Sequence, residues 1–438
     1  MWKVRPCSQG CTKNFYCLYY SHLFVKIQSP RGFGGLKISG TTISDYFYGM
    51  TLKKVLGKMH LWLGLASGLI VFIIAITGCI YAFQAEISDL TQPYRFVEKQ
   101  DKPMLTPSQF RVIADSILPG KHPHSVSYDS RGRAASIVYY SVEPSYYYVA
   151  YVNQYTGEVL KVKDMNKGDF FRFILDGHFY LWLPESIGQP VVAWSTVVFV
   201  VMMISGIVLW WPRNRAARKQ RFKVKFNASW KRVNYDLHNV LGFYMSWVAI
   251  ILAVTGLVWG FQWFAKTLYA VTGGEKSYEF YEPLSTEKSA AVYTPATAVD
   301  AIYVKMKAEN PTAEVIEVHY PETDSSSLGV SINPDGDTYW KSDYRYFDQY
   351  TLNEIEVTHI YGKFKDAKAA DKLARMNYDL HTGAVWGLPG KFLMFFASLI
   401  AASLPVTGFL LWRGRHRAKK KKEKSPAAEK KVFEVQQA

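Results

Sequence analysis

Four stretches of the chain carry no Asp, Glu, Lys or Arg: Met59–Ala85, Ser186–Pro212, Leu237–Ala265 and Phe392–Trp412. About 20 apolar residues suffice for a helix to cross the hydrocarbon core of a bilayer. Each stretch is that long, and a buried soluble helix rarely is. The pattern predicts four transmembrane helices, set at residues 50–85, 186–212, 237–265 and 389–412. Between them the periodicity changes. Thr106-Pro107 and Thr294-Pro295 each pair an N-cap residue with proline at the first helical position, which predicts helices to about Leu118 and Ala308. Alternating, tyrosine-rich runs follow each helix and read as strands, with turn chemistry at Asn153–Glu158. Residues 86–185 and 266–388 are therefore expected as two small α+β modules. The segments 168–184 and 371–388 read as amphipathic pieces lying along an interface.

The halves of the chain repeat. Setting His60 on His238 brings Gly64 onto Gly242, Thr77-Gly78 onto Thr255-Gly256 and Phe83-Gln84 onto Phe261-Gln262 without a gap. "LDGHFYLWLP" (175–184) resembles "YDLHTGAVWGLP" (378–389), and "SGIVLW" (205–210) resembles "TGFLLW" (407–412). The pentapeptide "NYDLH" occurs at 234–238 and again at 377–381. The chain reads as an internally duplicated unit of span, module and span.

Charge supplies the orientation. The net charge is +16, yet residues 1–58, 213–232 and 413–438 together carry +24 and the remainder −8. Basic residues beside span ends mark the cytoplasmic side. Both termini and the loop at 213–236 are thus expected inside, and both modules outside. Topology accounts for the basic balance, with anionic lipid as a partner, and nucleic-acid binding is excluded as its reason. Residues 1–49 resemble neither a span nor a secretory leader, and Met50 is expected to begin the functional chain. Cys7, Cys11 and Cys17 have no metal-ligand spacing, and the expected outside modules contain no cysteine.

Four of the ten histidines are repeat-related: His60 and His238 at the starts of spans one and three, His178 and His381 shortly before spans two and four. Ionisable groups at membrane depth are costly and usually functional. One imidazole from each of two facing helices can hold a haem iron axially, and bundle cores accommodate such cofactors. The bland reading is a set of interfacial histidines snorkelling to headgroups. Gly64 and Gly242, four residues after their histidines, leave room either for a porphyrin or for close helix packing. Asp236, Asp379 and Asp176 stand two residues before a histidine. That spacing points the two side chains to different helix faces, so an N-cap role is expected for the aspartates. In the first span Lys58 stands at that position. His122, His124, His319 and His359 lie in predicted loops or strands of the modules. No nucleophile, acid–base pair or phosphate loop stands out.

Taken together, "KMHLWLGLASGLIVFIIAITGCIYAF", the tyrosine-rich strand ending "TGEVL", "LDGHFYLWLP" and "NYDLHNVLGFYMSWVAIILAVTGLVWGF" resemble the PepSY-associated transmembrane helix family of bacterial inner-membrane proteins, over residues 50–413. The resemblance implies PepSY modules outside the membrane and one or two b-type haems within it, ligated by His60, His178, His238 and His381. It implies electron transfer to a periplasmic acceptor, most simply ferric iron in a siderophore or other chelate. Some relatives carry a flavin reductase domain. This chain has a basic tail at 413–438 instead, so a separate flavoprotein or quinol is the expected donor. Pairing by depth is expected, setting His60 with His238 and His178 with His381; pairing within one half, or a single haem, is the alternative. Two other classes compete: a haem-free regulator or inhibitor of periplasmic proteases, and a transporter built from the duplicated halves.

Overall fold

The structure is a computed structural model and describes residues 51–212 and 214–423. The expected extension at 1–49, with Cys7, Cys11 and Cys17, lies outside the described residues. Four helices are long and apolar enough to cross a membrane: Leu52–Tyr81, Glu185–Trp210, Trp230–Gly260 and Ala384–Ala418. They coincide with the four uncharged stretches. The protein is a multi-pass membrane protein. The chain divides into two compact units, one holding the spans and the other built from residues 83–173 and 261–391.

In the membrane unit the spans meet through small residues. A Cβ added at Gly64 of the first span would stand 2.7 Å from Met202 Cε of the second, and one at Gly242 of the third would stand 3.2 Å from Leu404 Cδ2 of the fourth. The second and third spans touch where Gly260 faces Ala193 and where Gln189 Nε2 donates to the Gly260 carbonyl at 2.9 Å. The fourth closes on the first through Ala75, Ala401 and Ala402, with Ser398 Oγ donating to the Ala75 carbonyl at 2.9 Å. Lipid gives helices no hydrophobic drive to associate, so close backbone approach and such bonds hold them together. Leu69, Ile204, Ile251 and Phe396 face outward and exposed, as a helix in an apolar solvent requires.

In the second unit helix α1 (Pro107–Ile117) precedes strands β1 (Pro123–Asp129), β2 (Ala135–Val142), β3 (Ser145–Val152) and β4 (Val159–Asp164). Helix α2 (Pro295–Glu309) then precedes β5 (Val315–His319), β6 (Leu328–Asn333), β7 (Asp343–Phe347) and β8 (Glu354–Ile355). Thr106 and Thr294 both cap their helices through capping boxes, and proline opens each, as the dipeptides predict. The segments expected as separate modules share one antiparallel sheet in the order β4-β3-β2-β1-β5-β6-β7-β8. β1 and β5 join them, with Val126 opposite Val318.

Each meander would otherwise end in a bare edge strand, and pairing the two edges removes both. Phe110, Val126, Ile137, Ile302, Met306 and Val318 are wholly buried in one shared core. Each such side chain contributes about 1.5–3 kcal/mol. Asp300 of α2 accepts from Ser108 N and Oγ in the first turn of α1, at 2.8 and 2.6 Å, tying the two helices together.

Candidate functional site

His60 of the first span and His238 of the third each hydrogen-bond through Nδ1 to a hydroxyl of the following span. His60 Nδ1 lies 2.8 Å from Ser205 Oγ, and His238 Nδ1 lies 2.9 Å from Thr407 Oγ1. Ser205 and Thr407 are the first residues of the repeated "SGIVLW" and "TGFLLW". The two interactions therefore occupy equivalent places in the two halves. His238 sits in a π-helical turn, Leu237–Leu241, where the first span is regular α-helix. Such insertions recur at functional sites in helices.

His178 ends the helix Phe170–Tyr180. Its Nδ1 is 2.8 Å from the Ile74 carbonyl oxygen and 3.3 Å from Thr77 Oγ1 of the first span. Directly after it, Leu181 and Trp182 hold φ of 55° and 57°. Left-handed conformations cost a non-glycine residue about 1–2 kcal/mol. The Trp182 indole lies over Gly177, where an added Cβ would come within 2.4 Å. The backbone beside His178 is thus strained, and glycine is required next to it. His381 lies on the helix Asn377–Thr382, ended by Gly383 at φ 81°, and belongs to the sheet-bearing unit.

The donor set fits a haem. With Nδ1 of His60 and His238 engaged by hydroxyls, Nε2 is the nitrogen left for a metal, as is usual for an iron- or zinc-bound imidazole whose other nitrogen is held by a neighbour. Gly64 and Gly242 serve helix contacts, with Met202 and Leu404 reaching across to them. Methionine is the more adaptable of those two side chains.

The aspartates depart from the expected N-cap role. Asp236 and Asp379 lie inside helical turns and cap nothing of their own. Asp236 accepts from Lys225 N at 3.2 Å and Arg232 Nε at 3.0 Å, which ties the basic loop to the start of the third span. Asp379 accepts from Tyr339 N at 3.0 Å and Trp340 N at 2.9 Å. The helix already runs through both residues, so their carboxylates serve amides of a distant loop. Burial pushes the Asp379 carboxyl up to about 6, while the two amides pull it down. Hydrogen bonds to charged groups contribute about 1.5–3 kcal/mol. Asp236→Ala should therefore speed tryptic cleavage after Lys225 by roughly tenfold or more. An unchanged cleavage rate in the folded protein would rule out the tether.

Outside the membrane unit, His124 stands at an irregularity of β1 between Pro123 and Ser125. Its Nδ1 is 3.1 Å from Glu322 Oε1 and its Nε2 3.2 Å from His319 Nδ1. Burial pushes His319 down to about 4. His359 is wholly buried. Among the described residues no group of three or more His, Cys, Asp or Glu donors is placed to hold a metal ion.

The sequence singles out the four histidines, but not Ser205, Thr407 and Thr77 as partners of His60, His238 and His178. The signal was present in the likeness of "SGIVLW" to "TGFLLW", which sets Ser205 on Thr407. A family model described as the PepSY-associated TM region matches residues 58–415. No curated protein matches the chain.

Proposed function

The chain belongs to the PepSY-associated transmembrane family, and from that premise we propose that it is a haem b protein carrying electrons across the bacterial inner membrane. The observation that supports this reading is the pair His60 and His238: equivalent residues of two spans, each with Nδ1 engaged by a hydroxyl. Such a pair is the donor set of a bis-histidine haem. When bound, haem supplies a one-electron couple between ferric and ferrous iron.

The chain's own residues do the rest. His60 and His238 bind the group nearer the basic, cytoplasmic ends of the spans. His178, bonded to the first span, and His381, on the helix Asn377–Thr382, are the remaining candidate ligands. The apolar spans exclude water, and the two imidazoles together with burial would set the potential of a haem held there. On this reading the chain is an internal duplication, its two PepSY modules fuse into the eight-stranded sheet outside, and both termini are cytoplasmic. A cytoplasmic flavoprotein or a quinol gives one electron, and a ferric chelate in the periplasm accepts it. Reduction lowers the charge on the iron and with it the attraction to the hard oxygen donors of the chelate, so it loosens the chelate and releases iron.

The test is a dithionite-reduced minus oxidised visible spectrum of the full chain, purified from cells supplied with haem. Sharp b-type bands are expected. A featureless spectrum from folded, haem-supplied protein would overturn the reading.

A further inference from the structure

We infer that the dipeptides Ser205-Gly206, Thr407-Gly408 and Thr77-Gly78 are receivers for the site histidines: the hydroxyl or helix carbonyl takes the Nδ1 proton and the glycine leaves space for the ring. Ser205, Thr407 and Thr77 are thus positioning residues, and they fix the tautomer that presents Nε2. Their bearing on a metal rests on the haem reading; their action on the imidazole does not.

The direction of each hydrogen bond follows from where the hydroxyl protons go. Ser205 Oγ donates to the Met202 carbonyl at 3.1 Å. Thr407 Oγ1 donates to the Ser403 carbonyl at 2.9 Å, with Leu404 at 3.1 Å. Thr77 Oγ1 donates to the Ile73 carbonyl at 2.6 Å, with Ile74 at 3.0 Å. A hydroxyl has one proton and two lone pairs. With the proton committed to its own helix, each oxygen can only accept. His60 and His238 must then carry the proton on Nδ1, and their Nε2 atoms keep the lone pair. His178 reaches the same tautomer by a second route, since the Ile74 carbonyl can only accept from its Nδ1.

The glycines complete the receivers. A Cβ at Gly206 would lie 3.3 Å from His60 Cε1, one at Gly408 would lie 3.1 Å from His238 Cε1, and one at Gly78 would lie 3.2 Å from His178 Cε1. An alanine at any of the three would press the ring away from the hydroxyl. Three histidines, on three different helices, thus meet the same two-residue arrangement with the same ring edge against the glycine. Packing alone would not reproduce the carbon, the nitrogen and the proton direction each time. By alignment Thr255-Gly256 is the counterpart of Thr77-Gly78.

Accepting the Nδ1 proton makes an imidazole a better electron donor through Nε2 and holds its plane. Loss of such a partner typically costs 10–100-fold in metal affinity. Ser205→Ala and Thr407→Val are the variants, with Ser205→Thr and Thr407→Ser as conservative controls that keep the acceptor. The first readout needs no haem: nitrogen-15 NMR of histidine-labelled full chain in lipid bilayers, with the His60 and His238 signals assigned by their loss in His60→Gln and His238→Gln.

In the parent chain both histidines should show protonated Nδ1 and bare Nε2. In Ser205→Ala and Thr407→Val they should shift to mixed tautomers, and the conservative controls should restore the parent pattern. Unchanged tautomers in Ser205→Ala and Thr407→Val would overturn the inference. The second readout is haem transfer to apomyoglobin, expected to run roughly 10–100-fold faster in those variants, with the midpoint potential moved positive. Fixed tautomers in a chain that binds no haem would leave the receivers standing and refute the haem reading alone. Haem held equally fast at an unchanged potential, with unchanged tautomers, would refute the receivers alone.

Discussion

Alanine at His60 and alanine at His238 are each expected to remove the same haem, and alanine at both to remove no more. The residues occupy matching positions in the first and third spans, and their Nδ1 atoms are engaged by matching hydroxyls 2.8 and 2.9 Å away. Two ligands of one iron form a unit, and removing either breaks it, so single and double losses coincide instead of adding. The haem-to-protein ratio from the pyridine haemochrome should fall by one per chain in His60→Ala, in His238→Ala and in the double variant. If the chain holds a second haem elsewhere, the difference-spectrum amplitude should drop to roughly half in all three. His319→Ala in the sheet-bearing unit should leave the ratio unchanged. A double variant that loses twice what either single loses would show ligands paired within each half, and depth pairing would be wrong.

How much of this was legible beforehand follows from the range of each interaction. The spans could be read because a bilayer imposes composition on every residue of a helix that crosses it. Thr106-Pro107 and Thr294-Pro295 could be read because a cap acts within one turn. The junction of β1 with β5 could not: Val126 and Val318 are far apart in the chain, and nothing local says that two edge strands of separate meanders will find each other. The same limit applies to the aspartates. Asp236 and Asp379 have the residue type of a cap, but their acceptor role is taken by amides of Lys225, Tyr339 and Trp340, in loops that only folding brings near. Ser205 and Thr407 are the intermediate case. Their pairing with His60 and His238 is long-range, yet the likeness of "SGIVLW" to "TGFLLW" set the two hydroxyl residues in matching places.

The sheet-bearing unit should lose stability as pH falls from about 6.5 toward 4, and His359 should account for a large share. His359 is wholly buried against Phe280, Tyr281 and Tyr346. Its Nε2 donates to the Tyr281 carbonyl at 3.1 Å, and its Nδ1 accepts from Tyr361 N at 3.1 Å. The neutral ring is fully satisfied, and an added proton on Nδ1 would face another N–H. Burial accordingly pushes His359 down to about 4 from an ordinary 6.5. A histidine depressed on folding favours the native state above its unfolded value, and that stability is lost as pH falls through the folded one. At about 1.4 kcal/mol per pH unit the full window is worth roughly 3 kcal/mol. Burial gives His319 the same sign.

Asp379, pushed up to about 6 by burial, acts in the opposite direction, so the raw pH profile of the parent chain mixes the contributions. The comparison with His359→Gln isolates one of them, because Asp379 and His319 are common to both chains and cancel. Glutamine can donate to Tyr281 and accept from Tyr361 without titrating. Its melting midpoint should therefore fall less between pH 7 and pH 4.5. The difference should be on the order of 5–10 °C, at about 2–4 °C per kcal/mol for a unit of this size. Parallel profiles for the two chains would mean that His359 takes up its proton without cost, and that the buried tyrosine cage around it yields as the pH falls.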